Sequence, residues 1–156
     1  MMETDIPGFG RVELKYLVSD FTGTLSVDGK RLPGIREQLN KLAESLEVHI
    51  LTADTFGTVQ SELAGVDCVI HILSVPDQDF KKEEYVRKLG CETVIAIGNG
   101  NNDRRMLKIA RIGIAVTEGE GCSVAALMNA EIHVRNACDG LNLILNPERL
   151  RATLRF

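Results

Sequence analysis

Short unbroken apolar runs alternate along this chain with longer stretches in which apolar residues return every three to four positions. The runs suit buried strands, and the longer period suits helices lying against them. Strands are predicted near residues 14–19, 48–52, 68–73, 93–97, 112–116 and 132–134. Helices are predicted at about 35–46, with Leu39, Leu42, Ala43 and Leu46 on one face, then at 56–64, 79–89, 103–110, 122–128 and from Pro147 onward. Each gap between strands holds one crossover, which makes the fold class α/β with a parallel sheet of about six strands. Asp28-Gly29 is a two-residue turn signal between Ser26-Val27 and Lys30-Arg31, so a small hairpin is expected near 25–31.

The candidate chemistry sits where predicted strands end. Tyr16-Leu17-Val18-Ser19 delivers Asp20 into the turn Phe21-Thr22-Gly23-Thr24. A carboxylate at that place, beside backbone amides able to hold an anion and hydroxyls on either side of Gly23, suits attack on phosphorus. Three further pieces follow in order. Thr52 ends the run Val48-His49-Ile50-Leu51, Lys82 lies near the start of a helical stretch, and Gly98-Asn99-Gly100-Asn101-Asn102-Asp103 follows Val94-Ile95-Ala96-Ile97. The glycine loop is not a dinucleotide fingerprint, because Asp103 stands where the third glycine of that pattern belongs.

These pieces resemble the four ordered motifs of the haloacid dehalogenase-like phosphotransferase superfamily. Within it they are most similar to the phosphorylation domain of P-type ATPases, with Asp-Lys-Thr-Gly-Thr and Gly-Asp-Gly-x-Asn-Asp as the corresponding motifs. The resemblance runs from about Lys15 to Val134 and implies a three-layer, Rossmann-like parallel sheet with helices on both faces. It implies Asp20 as nucleophile, with Asp20 and Asp103 brought together at the carboxyl edge of the sheet. A phosphoryl group would be held by Phe21, Gly23, Thr24, Thr52, Ala53 and Lys82. Mg2+ would be held by Asp20, the Thr22 carbonyl, Asn99 and Asp103, with Asn102 in support. Lys82 is chosen over Lys81 because Val86 and Leu89 follow it at the family's spacing.

Two positions depart from the pattern. Thr22 stands where most phosphatases of the superfamily carry an acid/base Asp, and an alcohol is too weak for that duty, so turnover is expected to be slow. Asn99 stands where the family carries a carboxylate, and a neutral amide is the poorer magnesium ligand. The leading expectation is a magnesium-dependent phosphohydrolase or phosphotransferase working through an aspartyl phosphate. A catalytically lapsed regulatory or binding protein is one alternative, for which Asn99 speaks. A receiver-type signalling domain is another, with Asp77 as its only match. The expected partner is a small phosphorylated substrate or a phosphoprotein.

The spacings limit what else the chain holds. From Asp20 to Thr52 is 52 − 20 = 32 residues and from Thr52 to Lys82 is 82 − 52 = 30, each used up by crossovers, so no cap domain is expected. The site is then open to solvent or covered by a second copy of the chain. The same shortage removes the nucleotide-binding insertion of a pump, and ATP-driven transport is not expected. At 156 residues, with no repeat or linker, residues 1–156 are expected to form one domain. With 18 basic against 22 acidic residues the net charge is −4, so neither nucleic acid nor an anionic membrane is an expected partner. No window approaches the roughly 20 apolar residues of a membrane span, and the acidic start Met1-Met2-Glu3-Thr4-Asp5 lacks a signal-peptide core, so a cytoplasmic location is expected. Cys68, Cys91, Cys122 and Cys138 are scattered and read as buried, reduced thiols rather than zinc ligands; His49, His71 and His133 read as structural.

Overall fold

A computed structural model describes residues 1–156. An antiparallel hairpin of β1 (Met2–Ile6) and β2 (Gly10–Leu14) opens the chain. After a break at Lys15 come β3 (Tyr16–Ser19) and a smaller antiparallel hairpin of β4 (Ser26–Val27) and β5 (Lys30–Arg31). Then follow α1 (Ile35–Ala43), β6 (Glu47–Thr52), α2 (Val59–Glu62), β7 (Val69–Ile72), α3 (Gln78–Leu89) and β8 (Val94–Gly98). The chain ends with α4 (Arg104–Ile109), β9 (Ile112–Val116), α5 (Val124–Met128), β10 (Ile132–Val134), α6 (Ala137–Leu145) and α7 (Pro147–Leu154).

Six parallel strands form the central sheet in the order β10-β9-β8-β3-β6-β7. Numbered along the chain and read from the β7 edge, this is the 3-2-1-4-5-6 order of the doubly wound Rossmann sheet, and the order reverses between β3 and β8. A receiver sheet runs 2-1-3-4-5, so the topology excludes that alternative; Asp77 is an exposed residue just before α3. Tyr16 to Ser19 pair with Val94 to Ile97 on one side and with Glu47 to Ile50 on the other, which makes β3 a central strand.

Both faces of the sheet are covered, which explains why its strands read as apolar runs rather than alternating ones. Leu17, Val48, Ile50, Ile95 and Ile97 belong to the larger core, closed by α1, α6, α7 and the first hairpin through Leu39, Leu141, Leu150 and Val12. Val18, Leu51, Val94 and Ala96 belong to the smaller core, closed by α3, α4 and α5 through Val86, Met106, Leu107 and Ala126.

Four features differ from the sequence-based expectation. The β1–β2 hairpin is unforeseen, because Met2-Glu3-Thr4-Asp5-Ile6 is mostly polar and only its inward residues are buried against the larger core. Helix α6 is also unforeseen, because Gly140 and Asn142 interrupt its apolar period. Gly140 lies where the helix meets the sheet: a Cβ there would come within 3.0 Å of Ile97 Cδ1. Helix α2 is shorter than 56–64, since Asp54 and Gly57 have φ of 50° and 66° and shape a turn before it. The four cysteines are unpaired and half-buried rather than fully buried. No separate cap stands over the carboxyl edge of the sheet. The expected hairpin near 25–31 is present as β4–β5, with Asp28 and Gly29 at φ 51° and 76°, the two positive values that a tight hairpin turn of the I′ type needs. No helix is long and apolar enough to cross a membrane.

Candidate active site

The Asp20 amide donates to the Ile97 carbonyl at 3.0 Å, carrying the β3–β8 ladder one residue past β3. The Asp20 carboxylate therefore sits at the point where the strand order reverses, the place such sheets use for ligands. The turn after it is tight: the Phe21 carbonyl accepts from the amides of Thr24 at 3.2 Å, Leu25 at 2.9 Å and Ser26 at 3.1 Å. Gly23 has φ of 80°, and a Cβ there would lie 2.6 Å from Asn99 Nδ2. A glycine is required on both counts. The amides of Thr22 and Ala53 have no protein acceptor, which leaves them available to an anion.

Lys82, in the second turn of α3, shares the buried face of that helix with Val86 one turn later. Its Nζ lies 2.7 Å from Asp20 Oδ1 and 2.7 Å from Asp103 Oδ1, and the whole residue is buried. Asp103 ends a single 3-10 turn over Asn101–Asp103, and its Oδ2 accepts from the amides of Asn99 at 3.0 Å and Gly100 at 2.9 Å. Gly98 permits this approach, since a Cβ there would stand 2.6 Å from Asp103 Cγ. The Thr24 hydroxyl lies 3.3 Å from Asp20 Oδ2 and 3.1 Å from Asn99 Oδ1.

Two buried carboxylates thus face one ammonium. Burial, reinforced by the Asp103 charge and only partly offset by Lys82, pushes the Asp20 carboxyl up from 3.8 to about 6. Burial alone would lower the Lys82 ammonium, but the charges of Asp103 and Asp20 outweigh it and hold that group above its ordinary value. The site carries one negative charge in excess, and its side chains around Asp20 offer oxygen rather than nitrogen or sulfur ligands. No cluster of three or more His, Cys, Asp or Glu surrounds it. Such a donor set fits a hard divalent cation that takes two carboxylates and completes its shell with neutral oxygens and water, as Mg2+ does.

The remaining sequence-selected residues divide between the site and its supports. Thr52 is buried at the end of β6 beside Asp20's strand, and its hydroxyl accepts the Asp54 amide at 3.0 Å. Asp54 in turn accepts from the Thr58 and Val59 amides at 2.9 and 3.0 Å, in front of α2. Lys81 points away, with Nζ bound to the Ser74 carbonyl, the Ser74 hydroxyl and the Pro76 carbonyl. Asn102 donates to Gln78 Oε1 at 3.0 Å, tying the glycine loop to the start of α3. The Asn99 side chain spans Thr24 and the Gly121 carbonyl, the latter at 3.0 Å. The turn at 118–121 escaped the sequence reading, although Glu118-Gly119-Glu120-Gly121 directly after a strand is a turn signal. His49 bonds Tyr85, His71 lies tilted against the same tyrosine ring with centroids 4.6 Å apart and His133 bonds Thr117, so none of the three is among the groups around Asp20.

A family model for haloacid dehalogenase-like hydrolases matches residues 78–141, which include Lys82 and the Gly98–Asp103 loop. An uncharacterised protein of Methanocaldococcus jannaschii is 42% identical over 78 residues, covering 50% of this chain and 78% of that one. This chain belongs to the haloacid dehalogenase-like family. A probable copper-transporting ATPase of Arabidopsis thaliana is 30% identical over 111 residues, 69% of this haloacid dehalogenase-like chain but 11% of the ATPase. Among solved structures, the cobalt-bound deoxy-D-mannose-octulosonate 8-phosphate phosphatase of Haemophilus influenzae superposes with a TM-score of 0.69 at 11% identity, covering 88% of this chain and 90% of that one. A zinc-transporting PIB-type ATPase superposes with a TM-score of 0.61 at 26% identity, covering 79% of this chain and 20% of the transporter. The family's P-type ATPase-like branch is thereby represented among its relatives.

Proposed function

We propose that this haloacid dehalogenase-like protein is a magnesium-dependent phosphohydrolase or phosphotransferase that acts on a phosphomonoester through an aspartyl phosphate at Asp20. The observation that carries the reading is the buried Lys82 ammonium held 2.7 Å from both Asp20 and Asp103. A nucleophilic carboxylate must meet an anionic phosphoryl group, and one lysine does not balance the charges already there. A magnesium ion held by Asp20, Asp103 and the Thr22 carbonyl would supply the missing positive charge.

An Asp20 carboxylate oxygen forms the new bond to phosphorus as the bond from phosphorus to the ester oxygen breaks. The departing alkoxide takes its proton from solvent, because Thr22 offers no acid. The free amides of Thr22 and Ala53, with the Thr52 hydroxyl and the Lys82 ammonium, receive the phosphoryl oxygens. Water or another acceptor then attacks the same phosphorus, releasing the carboxylate of Asp20. Lacking an acid/base carboxylate at Thr22, turnover is slow and favours good leaving groups. The open carboxyl edge admits a small phosphorylated molecule or a phosphoprotein, and a second copy of the chain is the natural cover for it.

The test is phosphate release from a small aryl phosphate with and without magnesium. Magnesium-dependent release is expected from the parent and none from Asp20→Asn. Release by that variant would place the nucleophile elsewhere. A lapsed regulatory protein is the second reading, favoured by Thr22 and Asn99, and its signature would be a parent that binds magnesium yet releases no phosphate.

A further inference from the structure

The side chain of Asn99 joins two loops. Its Oδ1 lies 3.1 Å from the Thr24 hydroxyl, and its Nδ2 donates to the Gly121 carbonyl at 3.0 Å. Its own carbonyl accepts the Ser123 amide at 2.8 Å. Gly121 closes the turn that follows β9, with φ of 79° and its amide on the Glu118 carbonyl at 2.8 Å. That turn also holds the β4–β5 hairpin. Glu120 Oε2 accepts the Asp28 amide at 3.2 Å, and Gly119 lies close under Val27, where a Cβ would be 3.3 Å from Val27 Cγ1. The hairpin's other flank is fixed separately, by Thr58 donating to the Gly29 carbonyl at 2.7 Å and by the Arg31 amide on Glu62 at 2.8 Å.

A carboxylate at position 99 could accept from Thr24 but could not donate to Gly121. It would set two oxygens against each other across that contact and leave a carbonyl without its donor. We propose that Asn99 is a positioning residue whose amide N–H clamps the 118–121 turn and, through Glu120, fixes the β4–β5 hairpin that follows the Asp20 turn. The inference rests on the phosphoryl-transfer reading of that site.

Amide hydrogen exchange on the metal-free protein tests the clamp without reference to turnover. In Asn99→Asp, exchange in 118–123 and in 26–31 should quicken roughly five- to tenfold, the worth of about one hydrogen bond, while β8 keeps the parent's protection. Glu120→Ala, an exposed change, should quicken 26–31 and spare the Asn99–Gly121 contact. With an aryl phosphate and magnesium, both variants should raise KM by a larger factor than they lower kcat, since the reacting groups stay while the hairpin joined to their turn loosens. Unchanged exchange in 26–31 for Asn99→Asp overturns the clamp. So does an unchanged KM in both variants of an active parent. A parent without turnover would instead sink the phosphoryl-transfer reading, and the exchange experiment would still decide whether Asn99 holds the turn.

Discussion

Asp20 is held in an environment that opposes its own charge, and the consequences are measurable. With its pKa raised from 3.8 to about 6, native Asp20 binds a proton that the unfolded chain has already lost, so this group makes stability fall as pH rises from about 4 to 6. In Asp20→Asn the amide oxygen can keep the Lys82 bond and the amide nitrogen can donate to Thr24, while the excess charge is gone. Metal-free Asp20→Asn should therefore melt higher than the parent at neutral pH, by about 2–4 °C per kcal/mol relieved, and lose that slope, although it loses all activity. A lower melting temperature would mean that the Asp20 charge is compensated in a way the structure does not show. The acid limb of the parent's rate should lie at or below pH 6 and move to lower pH as magnesium is raised, because cation and proton compete for the same carboxylate. A limb that ignores magnesium would separate the titrating group from the metal site. Lys82→Ala leaves two buried carboxylates without a counterion and should cost about 3–5 kcal/mol in urea unfolding as well as activity. Lys81→Ala, which frees only exposed carbonyls and a hydroxyl, should change stability by under about 1 kcal/mol and leave turnover near the parent's. Equal effects would mean that α3 presents a different lysine.

At the scale of elements, the site is built where backbone segments approach too closely for side chains. Gly98 and Gly140 make the point by contrast. A Cβ at Gly98 meets Asp103 Cβ and Cγ at 2.6 Å, and Asp103 is pinned by two amides and Lys82, so nothing there can yield. At Gly140 the nearest atom is the end of the Ile97 side chain at 3.0 Å, and a helical alanine gains about 1 kcal/mol of propensity in return. Gly98→Ala should lose about 1–3 kcal/mol and nearly all activity, whereas Gly140→Ala should be within about 1 kcal/mol of the parent and active. Denaturant midpoints and aryl phosphate rates on the two variants check this. A tolerant Gly98→Ala would show that the loop has room the structure does not give it.

At the scale of the whole molecule, a cation that binds only the folded site must stabilise every element that unfolds with it. Magnesium at 100 times its Kd should add about 2.7 kcal/mol and raise the melting temperature by roughly 5–10 °C. Asp103→Asn should lose most of that increment, because one of only two carboxylates facing Lys82 is gone. A parent whose melting temperature is indifferent to magnesium would show that these oxygens do not hold it.

The residue order along the chain was enough to place the six parallel strands, the crossovers between them and the Asp28-Gly29 turn, because burial on both faces and a two-residue turn leave local signatures. Asp20, Thr52, Lys82 and Asp103 were legible because each stands near a strand end or helix start and the four follow one another in the order of the family's motifs. The spacing to Val86 and Leu89 already favoured Lys82 over Lys81; tertiary structure added the contact itself, with Lys82 Nζ 2.7 Å from Asp20 while Lys81, about 100° round the helix, turns to Ser74 and Pro76. Tertiary structure alone revealed α6, whose Gly140 breaks the local pattern in order to let the helix lie close to Ile97. It alone joined Asn99 to Gly121 and the hairpin at Asp28 to Glu120, contacts between residues 22 and 92 positions apart that no local period encodes.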